Sequence, residues 1–278
     1  MANAKRWGIY RCRRSIRFLS RTAPGILVLL GMAAGALAQG PPYSGRAADG
    51  RDRGDRREQD FRFSSPEAFV GFRVGRFFPS AQGEFFDFVT DELTLERNDF
   101  RAWSAALEGG WSLNNRADLV FGLEAVHRTK RSEFREWVDG QGLPITQDTI
   151  YSQYPLTAGV KILLVPRGRH VGSYAWLPSE VVPFVAGGVG VLRYKLEQSG
   201  DFVDQVTYYI GPARLESSGW TPTAYLGGGV DILVARGTYL ALDARYWWAE
   251  AELERDFVNF DPLDLSGFRL SAGLQFRF

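Results

Sequence analysis

The chain of 278 residues carries 33 Lys+Arg against 32 Asp+Glu, with 20 Phe, 11 Tyr, 8 Trp, 31 Gly and a single Cys. The balanced charge leaves no basic footprint for nucleic acid, and one cysteine builds neither a disulfide framework nor a thiolate metal site. After residue 38 no apolar stretch approaches the roughly 20 residues of a membrane-spanning helix. If the chain enters a bilayer it must cross as strands closed into a barrel, because lipid cannot satisfy an open sheet edge.

Residues 1–38 open with Lys5, Arg6, Arg11, Arg13, Arg14, Arg17 and Arg21 and no acid. An apolar run from Gly25 to Ala36 follows, and then Ala36-Leu37-Ala38 before Gln39. A basic start, a short apolar core and small residues at minus three and minus one form a cleaved secretory signal. Arg13-Arg14 invites comparison with twin-arginine export, but its flanks fit poorly and a membrane barrel should cross unfolded. Taking those seven basic residues from 33 leaves 26 against 32 acidic ones, so the mature chain is near −6. Cys12 leaves with the signal, well before the cleavage site, and so is no lipoprotein anchor.

Residues 39–66 are rich in Gly and Pro and then in alternating charge, a composition too polar to order itself; a flexible charged tail is expected. From there to residue 278 the pattern becomes segments of about ten residues alternating apolar with polar or small side chains. The last is the clearest. Phe268, Leu270, Ala272, Leu274, Phe276 and Phe278 form one face, and Arg269, Ser271, Gly273, Gln275 and Arg277 the other, a strict period of two. Seven further segments run from Ala68 to Phe78, Phe100 to Leu113, Ala117 to Thr129, Tyr151 to Val165, Val181 to Leu196, Pro222 to Ala235 and Tyr239 to Glu252. Tyr154, Leu156, Ala158, Val160, Ile162 and Leu164 make one outward row, and Leu240, Leu242, Ala244, Tyr246 and Trp248 another. Each segment is long enough to cross a bilayer at the usual tilt. The expectation is an all-β fold, an eight-stranded antiparallel up-and-down transmembrane barrel over residues 67–278.

The connections alternate in length. Pro79 to Asp99, Lys130 to Ile150, Glu197 to Thr221 and Leu253 to Gly267 are long; Asn114-Asn115-Arg116 and Arg236-Gly237-Thr238 are tight turns, and Pro166 to Glu180 is the exception. Bacterial barrels sort their loops this way, long ones outside the cell and turns in the periplasm.

Carried through all eight strands, the alternation places Arg73, Glu108, Glu124, Lys161, Asp231, Asp243, Arg245, Arg269 and Arg277 inside. Facing lipid near the midplane, an Arg or Lys would cost about 2–4 kcal/mol. The expectation is a network of ion pairs filling a lumen just wide enough for side chains, against a narrow polar conduit. Trp111 and Phe276 collect near the turns, and Tyr151, Tyr154, Trp220, Tyr246 and Trp248 near the long connections, as interfacial girdles require. Gly187-Gly188-Val189-Gly190 and Gly227-Gly228-Gly229 match no phosphate loop and suit close packing in curved strands. His127, with Ser132 and Glu133 nearby in sequence, would be needed for a lipid hydrolase, but in this register it faces lipid at the outer rim. His170 falls in the basic turn Arg167-Gly168-Arg169-His170 and reads as solvated surface. No catalytic, cofactor-binding or metal site is expected.

Three stretches carry a resemblance: Val182-Pro183-Phe184-Val185-Ala186-Gly187-Gly188-Val189-Gly190, Tyr225-Leu226-Gly227-Gly228-Gly229-Val230, and Gly273-Leu274-Gln275-Phe276-Arg277-Phe278. Residues 67–278 resemble the small outer-membrane β-barrel families of the OmpA transmembrane domain, OmpX and OmpW. The resemblance implies that Phe276 and Phe278 act as the signal read by the barrel assembly machinery. It also implies outer-membrane lipids, periplasmic chaperones during biogenesis and an extracellular ligand of unknown identity as partners. Because the chain ends at the barrel, no peptidoglycan-binding domain is expected. The implied function is a non-enzymatic integral outer-membrane protein for envelope structure or surface interaction. The alternatives are a narrow OmpW-like channel and a lipid-modifying enzyme.

Overall fold

The computed structural model describes residues 65–171, 175–203, 210–257 and 260–278. The expected signal segment and all but the last residues of the charged tail lie outside them. In chain order the elements are β1 (Ala68–Pro79), α1 (Glu84–Glu92), β2 (Ala102–Asn114), β3 (Ala117–Val138), β4 (Pro144–Leu163), β5 (Gly168–Val171), β6 (Ala175–Pro178), β7 (Val181–Val203), β8 (Ile210–Ala235), β9 (Thr238–Ala251), β10 (Leu263–Asp264) and β11 (Gly267–Arg277).

Eight of these strands close a ring in the order β1-β2-β3-β4-β7-β8-β9-β11, every neighbour antiparallel, with β11 returning to β1. The backbone of Phe278 completes the seam, exchanging hydrogen bonds with Ala68 at 3.0 Å in each direction. The stagger can be followed once round the wall. From Gly228 the register runs through Ala244, Leu270, Arg76, Trp103, His127, Ser152 and Lys195, and re-enters β8 at Ser218, ten residues away. Such an offset on eight strands forces a tilt of about 35–45° and leaves an interior that side chains can fill.

The wall is inverted relative to a soluble barrel. Along β11 Phe268, Leu270, Leu274 and Phe276 are 40–47% exposed on the outside, while Arg269 and Arg277 between them are 3% and 4% exposed. The outward rows on β4 and β9 repeat this, with Leu156, Ile162 and Trp248 exposed beside buried Lys161 and Asp243. Apolar outside and polar inside is the wall of a transmembrane barrel. Inside, Gly188 and Gly229 make room for rings: a Cβ on Gly188 would lie 2.7 Å from Tyr225, and one on Gly229 2.8 Å from Phe184.

Two expectations about the connections need correction. The connections expected at Lys130–Ile150 and Glu197–Thr221 are largely strand. β3 and β4 continue to Val138 and from Pro144, and β7 and β8 to Val203 and from Ile210. These four strands raise a sheet beyond any bilayer, since 9–11 residues suffice to cross. The apolar-polar alternation stops there because no lipid faces it. The ladder goes on because Ile145, Gln147, Thr149 and Gln198 still bury there. The Pro79–Asp99 connection contains α1, whose Phe85, Phe86 and Val89 share one buried face; Glu84 and Asp87 in its first turn suit the positive end of the helix dipole. The Pro166–Glu180 connection holds the β5–β6 hairpin.

Candidate functional site

The interior is stacked in layers. At the end bearing the long connections, α1 places Phe85, Phe86 and Val89 against Phe77, Val126, Tyr151, Leu192, Tyr194 and Leu196 from the strands and Phe100 from the turn before β2. Phe86 meets Phe85 and Phe100 edge-on at 5.4 and 5.1 Å. The mouth is thus closed by an apolar core. Tyr151, expected in the outer girdle, is 1% exposed and belongs to this plug. At that height the inner face buries apolar groups, and the inward position on β4 takes a ring. Trp111, Phe276, Tyr154, Trp220, Tyr246 and Trp248 do lie on the outer wall.

All nine lumen candidates point inward, below that plug. Glu108 accepts from Arg73 and Arg245, each at 2.5 Å, and Asp243 sits 3.2 Å from Arg73 and 2.5 Å from Arg245. Two carboxylates and two guanidiniums therefore form a four-membered cluster, and the Ser271 hydroxyl donates to Asp243. Arg269 pairs with Glu124 at 2.6 Å and donates to the Gln153 amide oxygen at 2.9 Å. Gln153 in turn donates to the Leu265 carbonyl at 2.9 Å, linking the charges to the apolar mouth. Towards the short turns, Lys161 and Arg277 both reach Asp231 at 2.6 Å.

Two members escaped the sequence reading. Arg167, placed by the sequence only in the basic turn around His170, is 2% exposed and pairs with buried Asp118. The hairpin that follows it turns the guanidinium up into the barrel, a direction no strand alternation could reveal; His170 in the same turn is exposed. Asp118 lies on the inward face of β3, one pleat below Val120, where the same alternation places it although it is absent from the expected set. The aromatic lining was also unread. Lys161 lies 3.7 Å from the Phe184 ring centre, Arg269 4.2 Å from Trp247, Arg277 4.7 Å from Tyr239 and Arg245 5.1 Å from Tyr225. Each ring adds a negative π face to a cation whose carboxylate partners are few.

Little space remains. The gap among Arg73, Glu108, Glu124, Arg245, Trp247 and Arg269 is about 10 Å³, at the lower limit for one water molecule.

The remaining candidates lie apart from one another. Ser132 is buried and donates to the Gln147 carbonyl at 3.4 Å, while exposed Glu133 lies six residues along β3 from His127. His127 instead meets Ser152 across the β3–β4 ladder, Nδ1 to Oγ at 2.9 Å, with Thr129 Oγ1 3.3 Å from Nε2. Both ring nitrogens are thus engaged by hydroxyls. Among the described residues no group of three His, Cys, Asp or Glu is placed to hold a metal.

Above the wall the carboxylates pair with cations that reach solvent. Lys130 reaches Asp99 at 2.8 Å. Burial acts to raise the Asp99 pKa, but the Lys130 hydrogen bond, the backbone N–H and the nearby Lys130 and Arg128 charges together hold it below the usual carboxylate range. Glu197 is clamped by Lys195 and Arg214, both at 2.8 Å. The Lys195 hydrogen bond lowers its pKa against the effect of burial, and the Arg214 hydrogen bond and the two nearby charges lower it further.

No protein-family model matches the chain, and no curated protein matches it significantly. Solved structures of bacterial outer-membrane proteins are similar to it. Neisserial surface protein A is 14% identical, with 76% of this chain and 97% of that one aligned at a TM-score of 0.40. OprG of Pseudomonas aeruginosa is 10% identical over 78% and 98%, TM-score 0.44. Ail, the attachment invasion locus protein of Yersinia pestis, is 14% identical over 76% and 97%, TM-score 0.36. At these scores the likeness carries no argument, and the eight-stranded transmembrane barrel rests on the chain's own closed register and inverted wall.

Proposed function

We propose that the protein is a closed, non-enzymatic integral barrel of a bacterial outer membrane, serving as an anchor that presents its raised β3-β4-β7-β8 sheet for envelope structure or surface contact. The filled lumen carries this reading. A solute would have to part an apolar plug and then ion pairs that leave about 10 Å³ between them. The six inward cations (Arg73, Lys161, Arg167, Arg245, Arg269, Arg277) face five inward carboxylates (Glu108, Asp118, Glu124, Asp231, Asp243), so little net field is left to select an ion. The raised sheet supports the contact role, since β7 and β8 span 23 and 26 residues, more than twice what a bilayer needs. Within this reading Phe278, exposed on the wall and closing the seam, serves as the assembly signal. The test is conductance across a planar bilayer. Silence from correctly inserted protein is expected, and stable single-channel steps would replace the reading with a conduit.

A further inference from the structure

We propose that the outer wall over β1, β2, β9 and β11 holds one phosphate-bearing lipid of the outer leaflet, its acyl chain in a trough on the barrel and its phosphate between Arg76 and Arg101. The proposal rests on the membrane reading above. Most outward positions on this wall are apolar or small, and these two arginines break the pattern on neighbouring strands. In the β1–β2 register Arg76 faces Trp103, and Phe78 and Arg101 follow directly on its last pair, Phe77 and Ala102. Each guanidinium stacks on the ring across from it, Arg76 5.2 Å from Trp103 and Arg101 5.5 Å from Phe78. Two cations and two rings therefore alternate in a compact square. Neither arginine has a carboxylate partner among the described residues, whereas every inward arginine has one. A guanidinium stacked on a ring keeps its N–H edges for an anion, and the planar fork suits phosphate.

Directly below Arg76 the wall is recessed. Gly228, Ala244 and Ala272 are small outward residues on three adjacent strands, and Val74, Leu242 and Leu270 flank them. They leave an open trough of about 600 Å³ that reaches Arg76 and Trp103 at its upper end. Trp103, 67% exposed, stands at the height where amphipathic rings meet the headgroups. An apolar channel capped by two unpaired cations is complementary to an amphiphile with an anionic head. A free anion would leave the trough empty, and a zwitterionic lipid would bring its own cation to the arginines.

The test uses the protein extracted in detergent and native mass spectrometry with equal amounts of dioleoylphosphatidic acid and dioleoylphosphatidylcholine. One retained phosphatidic acid adduct is expected, in preference to phosphatidylcholine. Arg76→Gln with Arg101→Gln should cut its retention by about tenfold or more, as loss of charged hydrogen bonds does. Ala272→Phe, which fills the trough and leaves both charges, should lower it as well. Equal retention of the two lipids, or a double variant that binds like the parent, overturns the proposal. So does retention unaffected by Ala272→Phe but abolished by competing inorganic phosphate, which would mark a simple anion site. Heat-modifiable migration checks the fold of each variant. Failure of the parent protein to insert into vesicles would instead sink the membrane reading.

Discussion

The Arg73–Glu108–Asp243–Arg245 cluster inside the barrel and the Lys195–Glu197–Arg214 cluster on the raised sheet use the same groups at nearly the same distances. Their surroundings differ. The inner side chains are all 1–11% exposed, whereas on the raised sheet only the Glu197 carboxylate is covered, at 7%, and its cations Lys195 and Arg214 are 38% and 61% exposed. An exposed pair trades one set of water contacts for another and adds little. A buried pair need not add net stability either, but once formed it cannot lose a member without stranding a charge in a dry interior. Position within the barrel, more than ion-pair geometry, sets what each pair is worth.

The largest expected effect is therefore inside. Glu108→Gln leaves Arg73 and Arg245 sharing Asp243 alone, and should destabilise the barrel by about 3–5 kcal/mol in urea unfolding from detergent. A loss below about 1 kcal/mol would show that water already reaches the cluster, and conductance should then appear as well. Phe86→Ala removes a fully buried ring from the mouth plug and should cost about 3 kcal/mol, largely through the cavity it leaves. Because α1 and the strand ends meet there, protease should also begin to cut between residues 80 and 100; an uncut variant would mean that the plug closes over the gap.

On the raised sheet the comparison predicts a small change. Glu197→Gln should cost less than about 1 kcal/mol, and a cost near that of Glu108→Gln would erase the distinction between the two regions. The acid response has a definite sign. The folded-state pKa of Glu197 is lowered, first by the Lys195 hydrogen bond and then by Arg214. Its contribution is thus complete above the ordinary glutamate value of 4.5 and disappears as pH falls through the lower folded value. Hydrogen exchange of β7 and β8, corrected for intrinsic rates, should show protection at the upper ends of these strands weakening below that point while the transmembrane parts hold. Uniform protection through the same range would contradict it. Smallest in folded stability is Phe278→Asp, expected within about 0.5 kcal/mol because the side chain is exposed at the end of the last strand. Its outer-membrane level in cells should nevertheless fall, and a normal level would remove Phe278 from the assembly signal.

The readable part of this protein is the part where one strand suffices. Phe268 to Phe278 reveals its two faces without reference to any neighbour, because lipid on one side and a packed lumen on the other impose a period of two on every crossing strand. Strand count, wall orientation and the nine inward charges follow from that local rule. It stops working where the solvent on the two faces becomes the same. β3, β4, β7 and β8 run on past their apolar alternation, and Tyr151 turns into the plug although its residue type suits an interface equally well.

Which charge meets which was decided only by closure. Glu108 on β2 and Arg245 on β9 are 137 positions apart and lie on strands that are not neighbours in the ring. They meet because a ten-residue offset accumulates around eight strands and brings both to one height in a lumen narrow enough to span. Arg167 enters the same lumen through a hairpin, and α1 seals the mouth through a connection that carries no strand pattern. The sequence by itself determines the faces of each strand, since those answer to solvent one residue at a time. The tertiary structure determines the partners, because stagger and closure are properties of the whole ring.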